Sequence, residues 1–166
     1  MSGTSVSVLF VCLGNICRSP LAEGIFAALA RERGLDGQFH ADSAGTAGYH
    51  SGEPPDSRST AVAAAQGIRL TGFARQVTPR DLERFDIVVA MDRSNRRSLE
   101  RLRRRLRSGR GTVADIVMMR DYEPGARDPD VPDPYYGGPG GFERVYRILE
   151  RACNGLLDEL AGGDRD

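Results

Sequence analysis

A thiol and a guanidinium six positions apart, Cys12 and Arg18, belong to the stretch Cys12-Leu-Gly-Asn-Ile-Cys17-Arg18-Ser19. It lies between an apolar run, Val8-Leu-Phe-Val11, and a helical pattern that opens near Ser19-Pro20. A turn at a strand-to-helix junction can aim its backbone N–H groups at one point, and the helix adds its positive end there. A thiol in such a field favours its thiolate form, which is the nucleophilic one. An oxyanion with three equatorial oxygens fits the same concavity, and the Arg18 guanidinium can hold two of them. The Ser19 hydroxyl can donate to the Cys12 sulfur. Gly14-Asn15 supplies two residue types that tolerate left-handed backbone angles. Pro20 suits a first helical turn, where its missing N–H costs nothing. The plainer reading, a strand-end cysteine beside an ordinary helix start, leaves Arg18 and Gly14-Asn15 without a purpose.

Elements that must position these groups are legible as alternating apolar runs and helical patterns. Strands are expected over 5–11, 38–43, 86–91 and 113–118. Helices are expected over 20–33, with Leu21, Ile25 and Leu29 on one face, and over 56–66, 94–107 and 142–160, with Gly34 and Gly67 as stops for the first two. A long loop rich in Pro, Gly and Asp spans 120–141, an uncommon length unless it is functional. This alternation predicts an α/β architecture with a parallel sheet. In such sheets ligands lie beyond the carboxyl ends of the strands. Cys12, Ser43 and Asp92 each follow a strand, and the long loop leaves the fourth strand at the same end.

Bulk properties bound the function. The chain has 166 residues, with a single domain expected over 1–166 and a core over about 5–160. Hydrophobic residues make up 40% and charged residues 28%, and the formal net charge is zero, so no global field steers it to nucleic acid or membrane. No apolar run approaches the ~20 residues of a spanning helix, and the N-terminus has no basic start followed by an apolar stretch, which points to a cytoplasmic location. Three cysteines fit a reducing compartment rather than a disulfide scaffold. Cys17 reads equally as a partner for a reversible disulfide with Cys12 and as a small apolar filler. Cys153 falls with Leu149, Leu156 and Leu157 on one helix face and reads as core. His40 and His50 are not spaced with the cysteines as metal ligands, and His50 reads as a solvated loop histidine rather than part of a rim. All 23 basic residues are arginine, nine of them between Arg93 and Arg110. With Leu99, Leu102 and Leu106 on one side, that run reads as a solvated face over an apolar stripe, in preference to a contact for a membrane or acidic partner.

The segment Val11-Cys-Leu-Gly-Asn-Ile-Cys-Arg-Ser-Pro20 resembles the phosphate-binding loop of the low-molecular-weight protein tyrosine phosphatases. Asp42-Ser-Ala-Gly-Thr46, Ala74-Arg-Gln-Val77, Phe85-Asp86, Met91-Asp-Arg-Ser-Asn95 and Asp133-Pro-Tyr-Tyr-Gly137 match in order and approximate spacing. The resemblance implies a three-layer α/β/α fold with a four-stranded parallel sheet in the flavodoxin-like order 2-1-3-4. It implies metal-free, cofactor-free hydrolysis of phosphotyrosine proteins through a phosphocysteine, with inorganic phosphate as product, by a monomer with weak self-association. The phosphate loop would be Leu13, Gly14, Asn15, Ile16, Cys17, Arg18 and Ser19. Cys12 would be nucleophile, Arg18 the phosphoryl clamp and Asp133 the general acid and then base. On composition alone Asp133 is one loop carboxylate among several; the Asp-Pro-Tyr-Tyr match singles it out. Leu13, Tyr49, Tyr135 and Tyr136 would wall the substrate ring, where aromatic pairs add about 0.5–1.5 kcal/mol. Asn15, Ser19, Ser43 and Asp92 would support the loop. The chain departs from the pattern at Gly72, where many members carry a histidine, so one network partner is expected to be missing.

Three rival functions are weaker. An arsenate reductase on this fold needs relay cysteines near residues 80–95, and the chain has none between Cys17 and Cys153. Protein-arginine phosphatases of the family typically carry threonine where this chain has Ile16, and lack the paired tyrosines. A non-catalytic anion-binding or redox-sensing module leaves Asp133 idle.

Overall fold

Apolar residues on both sides of β1 (Val6–Cys12) make it a central strand. Val8, Phe10 and Cys12 face a core built with α1 (Arg18–Glu32), α2 (Ser57–Ala64) and α5 (Gly141–Gly162). Leu9 and Val11 face a second core built with α3 (Pro79–Arg84) and α4 (Arg93–Arg104). The strand's alternation therefore divides the helices into two layers, one on each face of the sheet. β1 pairs in parallel with β2 (Phe39–Gly45) and β3 (Ile87–Ala90), and β3 pairs in parallel with β4 (Asp115–Met118). The order is β2-β1-β3-β4, the expected 2-1-3-4. This computed structural model describes residues 5–106, 113–138 and 140–162. Arg107, Arg110 and both chain ends lie outside the described residues. Among those described, no helix is long and apolar enough to cross a membrane.

Several boundaries differ from expectation. α1 begins at Arg18, because the last residues of the phosphate loop are already its first turn. Asp56 stands before α2 and caps it, accepting from the Arg58 backbone N–H at 2.8 Å. The short helix α3 was not anticipated. Pro79 occupies its first turn, and Asp81 accepts from the Thr78 N–H at 2.8 Å and from the Thr78 hydroxyl at 3.3 Å. The expected loop 120–141 overlaps a 3-10 turn, Met119–Tyr122.

That long loop is held at its base. The buried Glu123 carboxylate takes Arg120 Nε at 2.8 Å and Arg151 Nη2, from α5, at 2.7 Å. The Val131 N–H donates to the Met91 carbonyl at 2.8 Å, which stitches the loop to the end of β3. α5 approaches so closely that a Cβ on Gly155 would lie 2.0 Å from the Tyr122 carbonyl oxygen. Alanine there gains about 1 kcal/mol of helix propensity but collides with backbone. Gly155→Ala should therefore destabilise by about 1–3 kcal/mol net, read as a lower urea midpoint. A raised midpoint would mean that the α5 contact yields at no cost.

Candidate active site

Cys12 ends β1, and the chain turns at once into the loop that leads to α1. Four carbonyls of this loop are tied outward: Cys12 to Thr46 N at 2.9 Å, Leu13 to Ala47 N at 2.9 Å, Ile16 to Asp56 N at 2.7 Å and Cys17 to the Ser59 hydroxyl at 3.2 Å. A trans peptide carries its N–H opposite its carbonyl. The N–H groups of Leu13, Gly14, Cys17 and Arg18 are thus turned toward the inside of the loop. The Asn15 and Ser19 N–H groups donate to the Cys12 sulfur itself, at 3.3 and 3.4 Å. The sulfur sits at the N-terminal end of α1, so the helix dipole adds to the same field. Such a ring of donors is an anion cradle.

The loop's shape depends on Asn15, whose φ of 58° is the one left-handed value at a non-glycine residue among those described. Gly14 does not share it. Its requirement is space, because a Cβ there would meet His50 Cδ2 at 2.9 Å. The Asn15 side chain is oriented by a backbone group: Oδ1 accepts from Arg75 N at 3.0 Å. Nδ2 must then face the other way, and it donates to Ser19 Oγ at 2.7 Å and Ser43 Oγ at 3.0 Å. Having accepted from Asn15, Ser19 can donate its own proton to the Cys12 sulfur at 3.1 Å. Ser43 Oγ donates to Glu23 Oε1 at 2.7 Å. Arg75 is held in turn by Asp81 of α3 at 3.0 Å and by Asp42 at 3.1 Å.

Arg18 is buried at 2% exposure, and its Nη1 bonds Asp92 Oδ2 at 2.8 Å and the Val131 carbonyl at 2.9 Å. Burial works against its charge, but the Cys12 sulfur and then Asp92 and Asp133 outweigh burial and hold the guanidinium above its ordinary value. With Nη1 engaged, the Nε–Nη2 edge faces the cleft. Nη2 lies 3.6 Å from Asp133 Oδ2, and Asp133 Oδ1 accepts from Tyr135 N at 3.0 Å. Asp92 does two jobs, since its Oδ1 also caps α4 by accepting from Asn95 N at 2.7 Å.

Cys12, Arg18 and Asp133 line one cleft of about 260 Å3, together with Leu13, Ile16, Cys17 and the side chains of Tyr49, His50, Tyr135 and Tyr136. Tyr49 is 66% exposed and Tyr136 94%, so both offer ring faces to a guest. Tyr135 packs against Tyr136 at 4.8 Å between centroids and is anchored by Arg58, which donates to its carbonyl at 3.2 Å and lies over its ring at 5.3 Å.

The residues read as site residues thus gather at the carboxyl end of the sheet, with Asn15, Ser19 and Ser43 joined by hydrogen bonds and Asp92 bonded to Arg18. His50 corrects its expectation. It lies over Gly14, packs at tilted angles near Tyr49 and Tyr135 with centroids 4.8 and 6.3 Å away and lines the cleft, because the β2–α2 loop folds back over the Cys12–Ser19 loop. Cys17 packs with Ile16, Ala74 and Phe142, and burial, followed by Asp56, pushes its thiol up to about 12, so it is held as a neutral thiol. Cys153 is fully buried in the α1–α5 core, as expected. Glu23, Arg58 and the Val131 carbonyl were missed.

Residues 7–165 match the family model described as low molecular weight phosphotyrosine protein phosphatase. The chain belongs to this family. It is 45% identical over 156 residues to the low molecular weight protein-tyrosine-phosphatase YfkJ of Bacillus subtilis, covering 93% of this chain and 96% of that protein. It is 40% identical over 153 residues to the human low molecular weight phosphotyrosine protein phosphatase, covering 92% and 94%. The crystal structure of YfkJ superposes with a TM-score of 0.89 at 41% identity over 99% of both chains. A Drosophila arginine phosphatase superposes at 0.86 with 32% identity, over 92% of this chain and 96% of that one.

The family member described here has Gly72 beside a recess of about 110 Å3 that Glu23, Asp42, Ser43 and Asn15 also line. Burial first, opposed by the Ser43 hydrogen bond, pushes the Glu23 carboxyl up to about 7 from its ordinary 4.5. A raised carboxyl binds its proton more tightly in the folded chain. Its stabilising contribution is complete below pH 4.5 and is lost as pH rises through 7. Glu23→Gln keeps the acceptor for Ser43 and removes the titration. Urea unfolding across this window should show wild type losing stability relative to the variant between pH 4.5 and 7 and running parallel above it. Curves parallel throughout would place Glu23 in an unperturbed setting.

Proposed function

We propose that the protein hydrolyses phosphotyrosine in protein substrates through a phosphocysteine at Cys12. The observation that supports this most is the convergence of a donor-ringed sulfur, the open edge of a buried arginine and an accessible carboxyl on one aromatic-walled cleft. In the first step the Cys12 thiolate attacks phosphorus: the S–P bond forms, the P–O bond to the tyrosyl ring breaks, and Asp133 gives its proton to the leaving phenolate. Arg18 and the loop N–H groups meet the charge on the equatorial oxygens. In the second step water attacks the phosphocysteine, Asp133 takes the water's proton, and inorganic phosphate leaves with the thiolate restored.

Substrate choice follows from the walls. Tyr49, Tyr135 and Tyr136 offer ring faces to an aromatic leaving group. Ile16 puts an apolar side chain in the cleft, with no hydroxyl to meet a guanidinium. Phosphotyrosine is therefore favoured over phosphoarginine, the substrate class in the name of the Drosophila neighbour. Assayed side by side, phosphotyrosine peptides should turn over and phosphoarginine peptides should not; the reverse preference would overturn the substrate assignment.

Two substitutions test the roles. Cys12→Ser should lower aryl phosphate hydrolysis by at least about a thousandfold while inorganic phosphate still binds. Asp133→Ala should cost about 100-fold or more in kcat/KM, which reports the first step, for phosphotyrosine and far less in kcat/KM for p-nitrophenyl phosphate, whose leaving group needs no proton. Equal losses for both would remove Asp133 as the acid. Turnover should be indifferent to EDTA, because the proposed nucleophile and charge stabilisers are all side chains and amides; strong inhibition by chelator would contradict the mechanism.

A further inference from the structure

The arginine-rich helix plays no part in this chemistry, yet it continues the surface on which the chemistry occurs. α4 buries Leu99 and packs Leu102 against the sheet, as the apolar stripe predicted. On its exposed side Arg93, Arg97, Arg101 and Arg104 recur at helical spacing and share one face. A recess of about 370 Å3 shares Asp133 with the catalytic cleft and reaches Arg93 and Arg97. A further recess of about 300 Å3 shares Arg97 and runs on past Arg101 and Arg104. The path from the cleft along α4 is therefore continuous.

Its charge is not balanced locally. Residues 93–105 hold seven arginines and one glutamate in a chain whose formal net charge is zero. Arg93 is paired with Asp130 at 3.1 Å, Arg96 lies 3.8 Å from Glu100, and Arg103 also pairs with Glu100. Arg97, Arg101 and Arg104 have no carboxylate at ion-pair distance among the described residues, and Arg101 donates to the Ser98 hydroxyl at 3.2 Å. No large apolar side chain is exposed on α4, so the face suits a solvated anionic chain better than the interior of a lipid surface.

We propose that Arg97, Arg101 and Arg104 dock an acidic segment of the phosphoprotein substrate, on the same polypeptide as the phosphotyrosine. This rests on the phosphatase reading above. The near recess is mixed in charge, with Asp92 engaged by Arg18 and Asp130 by Arg93. The preference for acidic residues therefore begins at Arg97. From Arg93 to Arg104 the helix rises about 16 Å, which an extended peptide spans in about five residues. Acidic side chains about three to eight positions from the phosphotyrosine would reach the stripe.

The test compares kcat/KM for phosphotyrosine peptides of equal length carrying Asp and Glu at those positions, on one side of the phosphotyrosine or the other, against peptides with Asn and Gln there. p-Nitrophenyl phosphate serves as the substrate that cannot reach α4. Wild type should prefer one acidic peptide by about tenfold at low salt, since several individually weak exposed pairs act together. The preference should shrink in high salt. It should vanish in R97E/R101E/R104E and weaken in R97Q/R101Q/R104Q, with p-nitrophenyl phosphate turnover unchanged in both. Equal kcat/KM for acidic and neutral peptides, with p-nitrophenyl phosphate still hydrolysed, overturns the docking proposal. So does arginine-dependent binding to phosphatidylserine vesicles without any peptide preference. No hydrolysis of any aryl phosphate defeats the phosphatase reading itself and removes the docking proposal with it.

Discussion

Arg18 carries a guanidinium out of water to a position where its side chain is 3% exposed, with Asp92 at 2.8 Å and the Val131 carbonyl at 2.9 Å. Burying an unpaired charge costs several kcal/mol, and removing one partner of a buried pair costs about 3–5 kcal/mol. The surroundings must therefore bring a carboxylate and an acceptor to this spot, and they come from separate parts of the chain. Asp92 arrives at the end of β3, and Val131 arrives on the long loop, itself bonded to the Met91 carbonyl. The ion pair thus closes a ring of β1, α1, β3, α4 and the loop that bears Asp133. A phosphoryl group bound at the open Nε–Nη2 edge would enter a site whose electrostatics are already arranged, which is the condition for strong stabilisation of developing charge.

Hydrogen-bond direction gives the rest of the loop its order. Arg75 N fixes the Asn15 amide, the amide donates to both serines, and each serine then donates onward, Ser19 to the Cys12 sulfur and Ser43 to Glu23. The Ala44 carbonyl is a second acceptor for Ser19, at 3.4 Å, longer than the 3.1 Å to the sulfur. Gly72 contributes no side chain to this network, which ends at Glu23. The backbone strain at Asn15 is sustained by the same bonds, consistent with strained residues persisting where their surroundings over-determine them.

How much of this the sequence disclosed depends on the range of the interactions. The Cys12–Ser19 loop was legible because its chemistry lies within eight consecutive residues, and β1 and β3 because they are dominated by apolar runs. α3 was missed because six residues are too few to display a helical period, although Thr78, Pro79 and Asp81 form a readable start. Glu23 was missed because its hydrogen-bond partner Ser43 lies on a different element, β2, and no local pattern announces the contact. Asp133 was legible only through its Asp-Pro-Tyr-Tyr setting, since nothing local separates it from Asp128 or Asp130. His50 was read as solvated because the fold-back of its loop over Gly14 leaves no periodic trace.

The placement of Asp133, the proposed acid, shows how a mobile-looking composition can still be precise in position. The loop over 120–141 is rich in glycine and proline, but Val131 is fixed through both its N–H and its carbonyl, two residues before Asp133. Pro132 and Pro134 bracket the acid, and a following proline confines a residue to extended backbone. Val131 and Asp133 are both so confined. The Asp133 backbone therefore has little freedom, and its Oδ1 is held by the Tyr135 N–H. Its side chain nevertheless remains 44% exposed, at the border of the cleft and the recess beyond it. That combination suits a group required to exchange a proton with a substrate oxygen and then with water. The restrained backbone keeps the carboxyl on the cleft it shares with the sulfur, while exposure lets the second reactant reach it.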